Sequence, residues 1–140
     1  MIEHELFTAI DHLGIASQSL DEAMALYQGI FGLQVVLRDI LPDQGVSVVM
    51  LRCGGSFVEL LAPTAPDSSL VEFLARRGPG IHHVAYAVAD LPAALERCRM
   101  AGLQLIDEQP RIGAGGVPVA FLHPRGTGYA LIELVERSTP

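Results

Sequence analysis

Cysteine, basic residues and long apolar runs are all scarce in this chain of 140 residues. Its two cysteines, Cys53 and Cys98, are too few for a disulfide scaffold and fit no zinc-ligand spacing, so reduced thiols in a cytoplasmic protein are expected. Nine Lys and Arg stand against 16 Asp and Glu, a net charge of −7 with His neutral. That balance argues against nucleic acid or an anionic membrane as a partner, since both need clustered base to neutralise phosphate. Gly, Pro or charge interrupts every apolar stretch before the ~20 residues needed to span a bilayer. The start, Met1-Ile2-Glu3-His4-Glu5, carries acid where a targeting peptide needs base. What is left is an acidic, half-hydrophobic chain with the length of a single domain.

The strongest positive feature is an internal repeat. Shifting the chain by about 71 positions lays Ile10, His12, Ala16, Leu20 and Ala23 on Ile81, His83, Ala87, Leu91 and Ala94. With small gaps, Gly32-Leu33-Gln34 meets Gly102-Leu103-Gln104, Gly45-Val46 meets Gly116-Val117, and Glu59-Leu60 meets Glu133-Leu134. Each half reads as strand, helix and three strands. Ser19 and Glu22 form a capping box, and Asp90 with Pro92 opens the second helix. Strands are expected at Ile10 to Ala16, Gln34 to Arg38, Val46 to Leu51 and Phe57 to Leu61. Their counterparts are Ile81 to Val88, Gln104 to Asp107, Val117 to Leu122 and Tyr129 to Val135. Ser68 or Ser69 caps a linker helix, about residues 68–78, between modules at about 8–63 and 80–136. A 70-residue half alone would bury only ~60% of its unfolded surface. The expectation is one α+β domain over residues 1–140, built from two tandem βαβββ modules.

Strand alternation places Ile10, His12, Gly14 and Ala16 on one face, and Ile81, His83, Ala85 and Ala87 on the equivalent face. Both histidines therefore have small neighbours where a packed core would place Val, Ile or Leu. Glu59 and Glu133 each sit in the middle of an apolar strand, where an inward carboxylate needs a partner. Any one of these residues alone reads as a satisfied strand position or a solvent-facing acid. Recurrence of both types at the same place in both halves points instead to a pseudo-twofold site. Two imidazole nitrogens and two carboxylate oxygens suit Ni²⁺, Co²⁺, Zn²⁺, Mn²⁺ or Fe²⁺. On an octahedral ion they leave two adjacent positions for a bidentate oxygen substrate.

The remaining candidates carry less. His82 must point away from His83, His123 opens a turn, and His4 lies near the start. Cys53 and Cys98 have no nearby base to activate a nucleophile. The segment Pro110 to Gly116 is glycine-rich without a following helix, so it is no dinucleotide or P-loop cradle. It is either a plain connection or a substrate loop, with Arg111, Gly115 and Gly116 as contacts.

With these residues the chain resembles the vicinal-oxygen-chelate superfamily, and within it the methylmalonyl-CoA epimerases, over nearly its whole length. The most specific stretches are Leu41-Pro42-Asp43-Gln44-Gly45-Val46, Val58-Glu59-Leu60-Leu61-Ala62-Pro63 and Gly80-Ile81-His82-His83-Val84-Ala85, while Arg111-Ile112-Gly113-Ala114-Gly115-Gly116 and Phe121-Leu122-His123-Pro124 narrow the resemblance to the epimerases. The resemblance implies a glyoxalase-like fold, a mixed β-sheet cupped around a divalent metal held by His12, Glu59, His83 and Glu133. It implies Co²⁺ first, with Ni²⁺, Zn²⁺, Mn²⁺ or Mg²⁺ as alternatives, an acyl-CoA substrate and a homodimer. The implied reaction inverts C2 of methylmalonyl-CoA through a metal-stabilised enolate, with a base on each face. Those bases fall on Glu133 and on Asp43, where the family carries Glu, one methylene longer. A glyoxalase-I-like lactoylglutathione lyase would use the same four ligands, and a metal-free binding protein of this fold generally lacks the full set. An extradiol dioxygenase would leave Glu59 surplus.

Overall fold

Ser19 and Asp90, 71 residues apart, open helices in the same way. Each side chain accepts a backbone N–H three residues on, from Glu22 at 3.4 Å and from Ala93 at 3.0 Å, as an N-cap must. The computed structural model describes residues 5–128 and 130–137. His4 and the expected strand start at Tyr129 lie outside the described residues. In order, the elements are β1 (Phe7–Ala16), α1 (Leu20–Met24, continued by a π-helical turn Ala25–Ile30), β2 (Gln34–Leu41), β3 (Val46–Cys53) and β4 (Ser56–Pro63). There follow α2 (Ser69–Arg77), β5 (Gly80–Val88), α3 (Leu91–Met100), β6 (Arg111–Ile112), β7 (Pro118–Leu122) and β8 (Ile132–Glu136). Among the described residues no helix is long and apolar enough to cross a membrane.

The chain divides into two units, His12–His82 and Met1–Asp11 with His83–Pro140. In the first, the strands run in the order β2-β3-β4-β1, antiparallel except for the parallel β4–β1 pair. α1 covers one face: Met24 packs with Val49, Leu51 and Leu60, joined by Leu20, Ala23 and Tyr27. These helix positions share one stripe. The wide turn, with Phe31 N–H bonded to Leu26 C=O at 2.8 Å, leaves Ile30 and Phe31 exposed beyond it. The helix expected to run unbroken to Gly32 thus changes pitch after Met24, and Gly32 follows it at φ +71°. Leu60 is fully buried at the centre of this cluster. Leu60→Ala should cost ~2–5 kcal/mol through the cavity it leaves, seen as a lower denaturant midpoint.

The second unit repeats the plan in the order β5-β8-β7-β6, with β5–β8 parallel and the others antiparallel. α3 packs Leu91, Ala94, Leu95 and Cys98 onto Val88, Ala120, Leu122 and Leu134. The strand expected at Gln104 to Asp107 does not form; only Leu105 bridges to Leu122. Asp107 interrupts it, because its carboxylate takes the Phe121 N–H at 2.9 Å while the Ile106 N–H takes the Phe121 carbonyl at 3.0 Å. A side chain does the work of the next ladder rung, and the chain turns away to make β6.

Candidate metal centre

In each unit one histidine and one glutamate are brought together by the same register. β1 runs parallel to β4 with Gly14 opposite Glu59, and β5 runs parallel to β8 with Ala85 opposite Glu133. The histidine lies two residues before the small residue on the same face, so imidazole and carboxylate converge across the gap that Gly14 or Ala85 leaves. His12 Nε2 lies 3.7 Å from Glu59 Oε1, and His83 Nε2 lies 3.2 Å from Glu133 Oε1. On its other side each glutamate has a large neighbour, Met50 on β3 and Phe121 on β7. The Phe121 ring stands edge-on to the His83 imidazole at 5.8 Å. Ala16, Ala85 and Ala87 are buried on these strands as alternation predicts. Ile10 and Ile81 are instead 56% and 62% exposed, at strand positions that precede the registers with β4 and β8.

His12, Glu59, His83 and Glu133 form one group, each offering a ligand atom, with those atoms within 4.8 Å of one another. All four are 2–6% exposed. With His neutral the group carries two buried negative charges, and burying an ion costs several kcal/mol even after relaxation. A cation removes that cost. Ligands ~2.0–2.2 Å from a shared ion lie ~3 Å apart as neighbours and ~4.2 Å apart across it. The spacing in the structure reaches that range with a contraction of about half an ångström. The donors are nitrogen and oxygen, without thiolate, so the group suits a divalent metal of intermediate hardness.

Of the other site residues predicted from sequence, Asp43, Gly115 and Gly116 lie in turns and Arg111 lies on β6. Asp43 is exposed in the turn between β2 and β3. Its repeat counterpart is Ala114, in the turn Gly113 to Gly116 that closes with a Gly116 N–H to Gly113 C=O bond at 3.0 Å. The first turn closes in the same way, Gly45 N–H to Pro42 C=O at 3.1 Å, and both Gly45 and Gly116 take positive φ. The two halves therefore match in ligands and in turn geometry, yet only the first turn carries a carboxylate. Gly115, also at positive φ, belongs to the second turn. Arg111 is held on β6 by Asp107: its Nε donates to Asp107 Oδ1 at 2.9 Å and its Nη2 to the same oxygen. Asp107 is the residue that the sequence reading missed. It is a buried acid that ties Arg111 to Phe121, and thereby to the wall of His83. Its signal was the Asp107–Arg111 spacing of four ahead of the glycine-rich run.

A family model described as the Glyoxalase/Bleomycin resistance protein/Dioxygenase superfamily matches residues 11–121. The chain belongs to this superfamily. It is 38% identical over 126 residues to the mitochondrial methylmalonyl-CoA epimerase of Homo sapiens, spanning 89% of this chain and 72% of that one. It is 37% identical over 127 residues to the ethylmalonyl-CoA/methylmalonyl-CoA epimerase of Cereibacter sphaeroides, spanning 89% and 95%. The crystal structure of methylmalonyl-CoA epimerase from Mycobacterium tuberculosis superposes with a TM-score of 0.92 at 37% identity, covering 99% of this chain and 94% of that one. The mixed-sheet α+β architecture expected from the sequence is that of the glyoxalase superfamily. Among the described residues the remaining histidines and thiols of this superfamily member have other partners or surroundings. His82 packs edge-on against Phe73 at 4.8 Å, and His123 Nδ1 accepts the Arg125 N–H at 3.1 Å. Cys98 lies on the buried face of α3, where burial pushes its thiol pKa up and away from thiolate chemistry. Cys53 is an exposed free thiol.

Proposed function

We propose that the chain is a divalent-metal epimerase that interconverts (R)- and (S)-methylmalonyl-CoA. The observation that carries this reading is the buried His12, Glu59, His83 and Glu133 group; the epimerase relatives supply the substrate class. His12, Glu59, His83 and Glu133 are the ligands, for Co²⁺ first and for Ni²⁺, Zn²⁺, Mn²⁺ or Mg²⁺ as alternatives. When bound, the ion supplies positive charge where the thioester and carboxylate oxygens of the substrate gain negative charge. The chain's own residues move the protons. Glu133 takes the C2 proton from one face, C2 becomes planar, and the Asp43 carboxylic acid returns a proton to the opposite face; the reverse direction exchanges the roles. The strands around the group exclude water and hold the Glu133 carboxylate against rotation.

Arg111, Gly115 and Gly116 are the proposed acyl-CoA contacts. Arg111 keeps 38% of its side-chain surface exposed while anchored to Asp107, which supports a guanidinium edge available to an anion. Because the ligand set draws equally on the modules at about residues 8–63 and 80–136, residues 1–140 act as one domain. The two free cysteines support a reducing, cytoplasmic setting, and the family supports a homodimer.

The test is incubation with (2R)- and with (2S)-methylmalonyl-CoA in D₂O. Deuterium should appear at C2 with inversion, and a chelator should abolish both. Metal-loaded protein that exchanges no C2 proton would sink the substrate assignment.

A further inference from the structure

The turn that carries Asp43 is fastened to the start of α2 by a single hydroxyl. Leu41-Pro42-Asp43-Gln44-Gly45 makes two overlapping turns, Gln44 N–H to Leu41 C=O and Gly45 N–H to Pro42 C=O, both 3.1 Å. Pro42 fits its turn position because its ring sets φ. Gly45 follows at φ +65°, and a β-carbon there would come within 2.9 Å of Ser68 Cβ. Its carbonyl accepts the Thr64 N–H at 2.8 Å. Ser68 is buried and serves both sides. Its Oγ accepts the Leu70 N–H at 3.2 Å as the cap of α2, and donates to the Gln44 carbonyl at 3.2 Å. Capping uses only an oxygen lone pair. The hydroxyl proton is therefore left to hold the Gln44–Gly45 peptide, one link beyond Asp43.

We infer that Ser68 is a positioning residue for the Asp43 carboxylate, fixing the Pro42–Gly45 turn through its bond to Gln44. The inference rests on Asp43 acting as a proton-transfer base. An aspartate has one methylene less with which to reach a substrate than a glutamate. Its backbone must then be placed more closely, since displacement of a reacting group by ~1 Å can cost ~10²-fold in rate. Exposed turns ordinarily drift by more than this. Here the turn is tied on three sides, by the β2–β3 ladder, by Thr64 and by Ser68.

Ser68→Gly removes the hydroxyl, while glycine remains a tolerated N-cap, so α2 keeps its start. The expected result is a fall in kcat for epimerisation of about tenfold with KM changed less than about twofold and little change in Tm. The fall should appear in C2 deuterium exchange from the one epimer that Asp43 deprotonates, leaving exchange from the other epimer near its original rate. Ser68→Thr, which keeps the hydroxyl, should restore kcat to within about threefold. Three results overturn the positioning role: an undiminished kcat in Ser68→Gly, a loss that Ser68→Thr does not rescue, or a loss that falls equally on both epimers together with Tm. If Asp43→Asn is inactive while Ser68→Gly retains full kcat, the Ser68 role alone fails. An unaltered chain with no epimerase activity overturns both the underlying function and this inference.

Discussion

His83→Ala should leave the purified protein without its divalent ion. The natural chain is expected to retain about one ion per chain, and the His12→Ala variant should lose it as His83→Ala does. The argument is electrostatic as well as geometric. His83 Nε2 lies 3.2 Å from Glu133 Oε1, and both side chains are buried. Losing a hydrogen-bond partner behind a metal ligand typically costs ~10–100-fold in affinity. Loss of a direct nitrogen donor from a four-ligand set should exceed that, by on the order of 10²-fold or more. Metal analysis of protein purified without added metal, with calorimetric titration of the apo form, gives the answer apart from any activity. The control is His82→Ala. His82 is adjacent in sequence but packs against Phe73 on the other face of β5, so that variant should keep its metal. Normal metal content in both the His12 and His83 variants would remove these residues from the centre.

Why these four residues could be read in the sequence, and others not, follows from how each is specified. His12, Glu59, His83 and Glu133 are marked twice over, by chemistry that does not belong in an apolar strand and by recurrence at about 71 residues. Alternation then gives their face, because side chains on a strand repeat every two residues. Alternation cannot tell whether a neighbour covers that face, which is why Ile10 and Ile81 share the histidines' parity and yet are exposed. Nor does it set the pairing of Gly14 with Glu59 and Ala85 with Glu133, which depends on how parallel strands align. The helix starts were legible because capping is local, Ser19 to Glu22 and Asp90 to Ala93. The second bond of Ser68 was not, since its acceptor Gln44 lies 24 residues away. The segment Gln104 to Asp107 shows the reverse error. Its residues suit a strand, but the Asp107 carboxylate satisfies Phe121 and Arg111 from outside the ladder, an interaction that local propensity does not register.

The two proposed bases should give mirror-image defects. Asp43→Asn and Glu133→Gln each remove one proton acceptor while keeping size and polarity, and general acid–base groups are typically worth ~10²–10⁴ in rate. Inversion needs both faces, so kcat for epimerisation should fall by about 10³-fold in either variant. Exchange of the C2 proton with solvent needs only one face. Asp43→Asn should therefore still exchange deuterium, with retention, into the epimer that Glu133 serves, and Glu133→Gln into the opposite epimer. The variants should also part company in metal binding. Asp43 lies in an exposed turn outside the four-residue group, so Asp43→Asn should hold its ion at full occupancy. Glu133→Gln exchanges a charged ligand for a neutral amide and should bind the ion more weakly. If Asp43→Asn inverts its substrate at the original rate, the second proton must come from another donor or directly from water. The asymmetry between the Asp43 turn and its Ala114 counterpart would then have no catalytic meaning. If both variants lose exchange from both epimers while Asp43→Asn keeps its metal, the two faces are not served by separate bases.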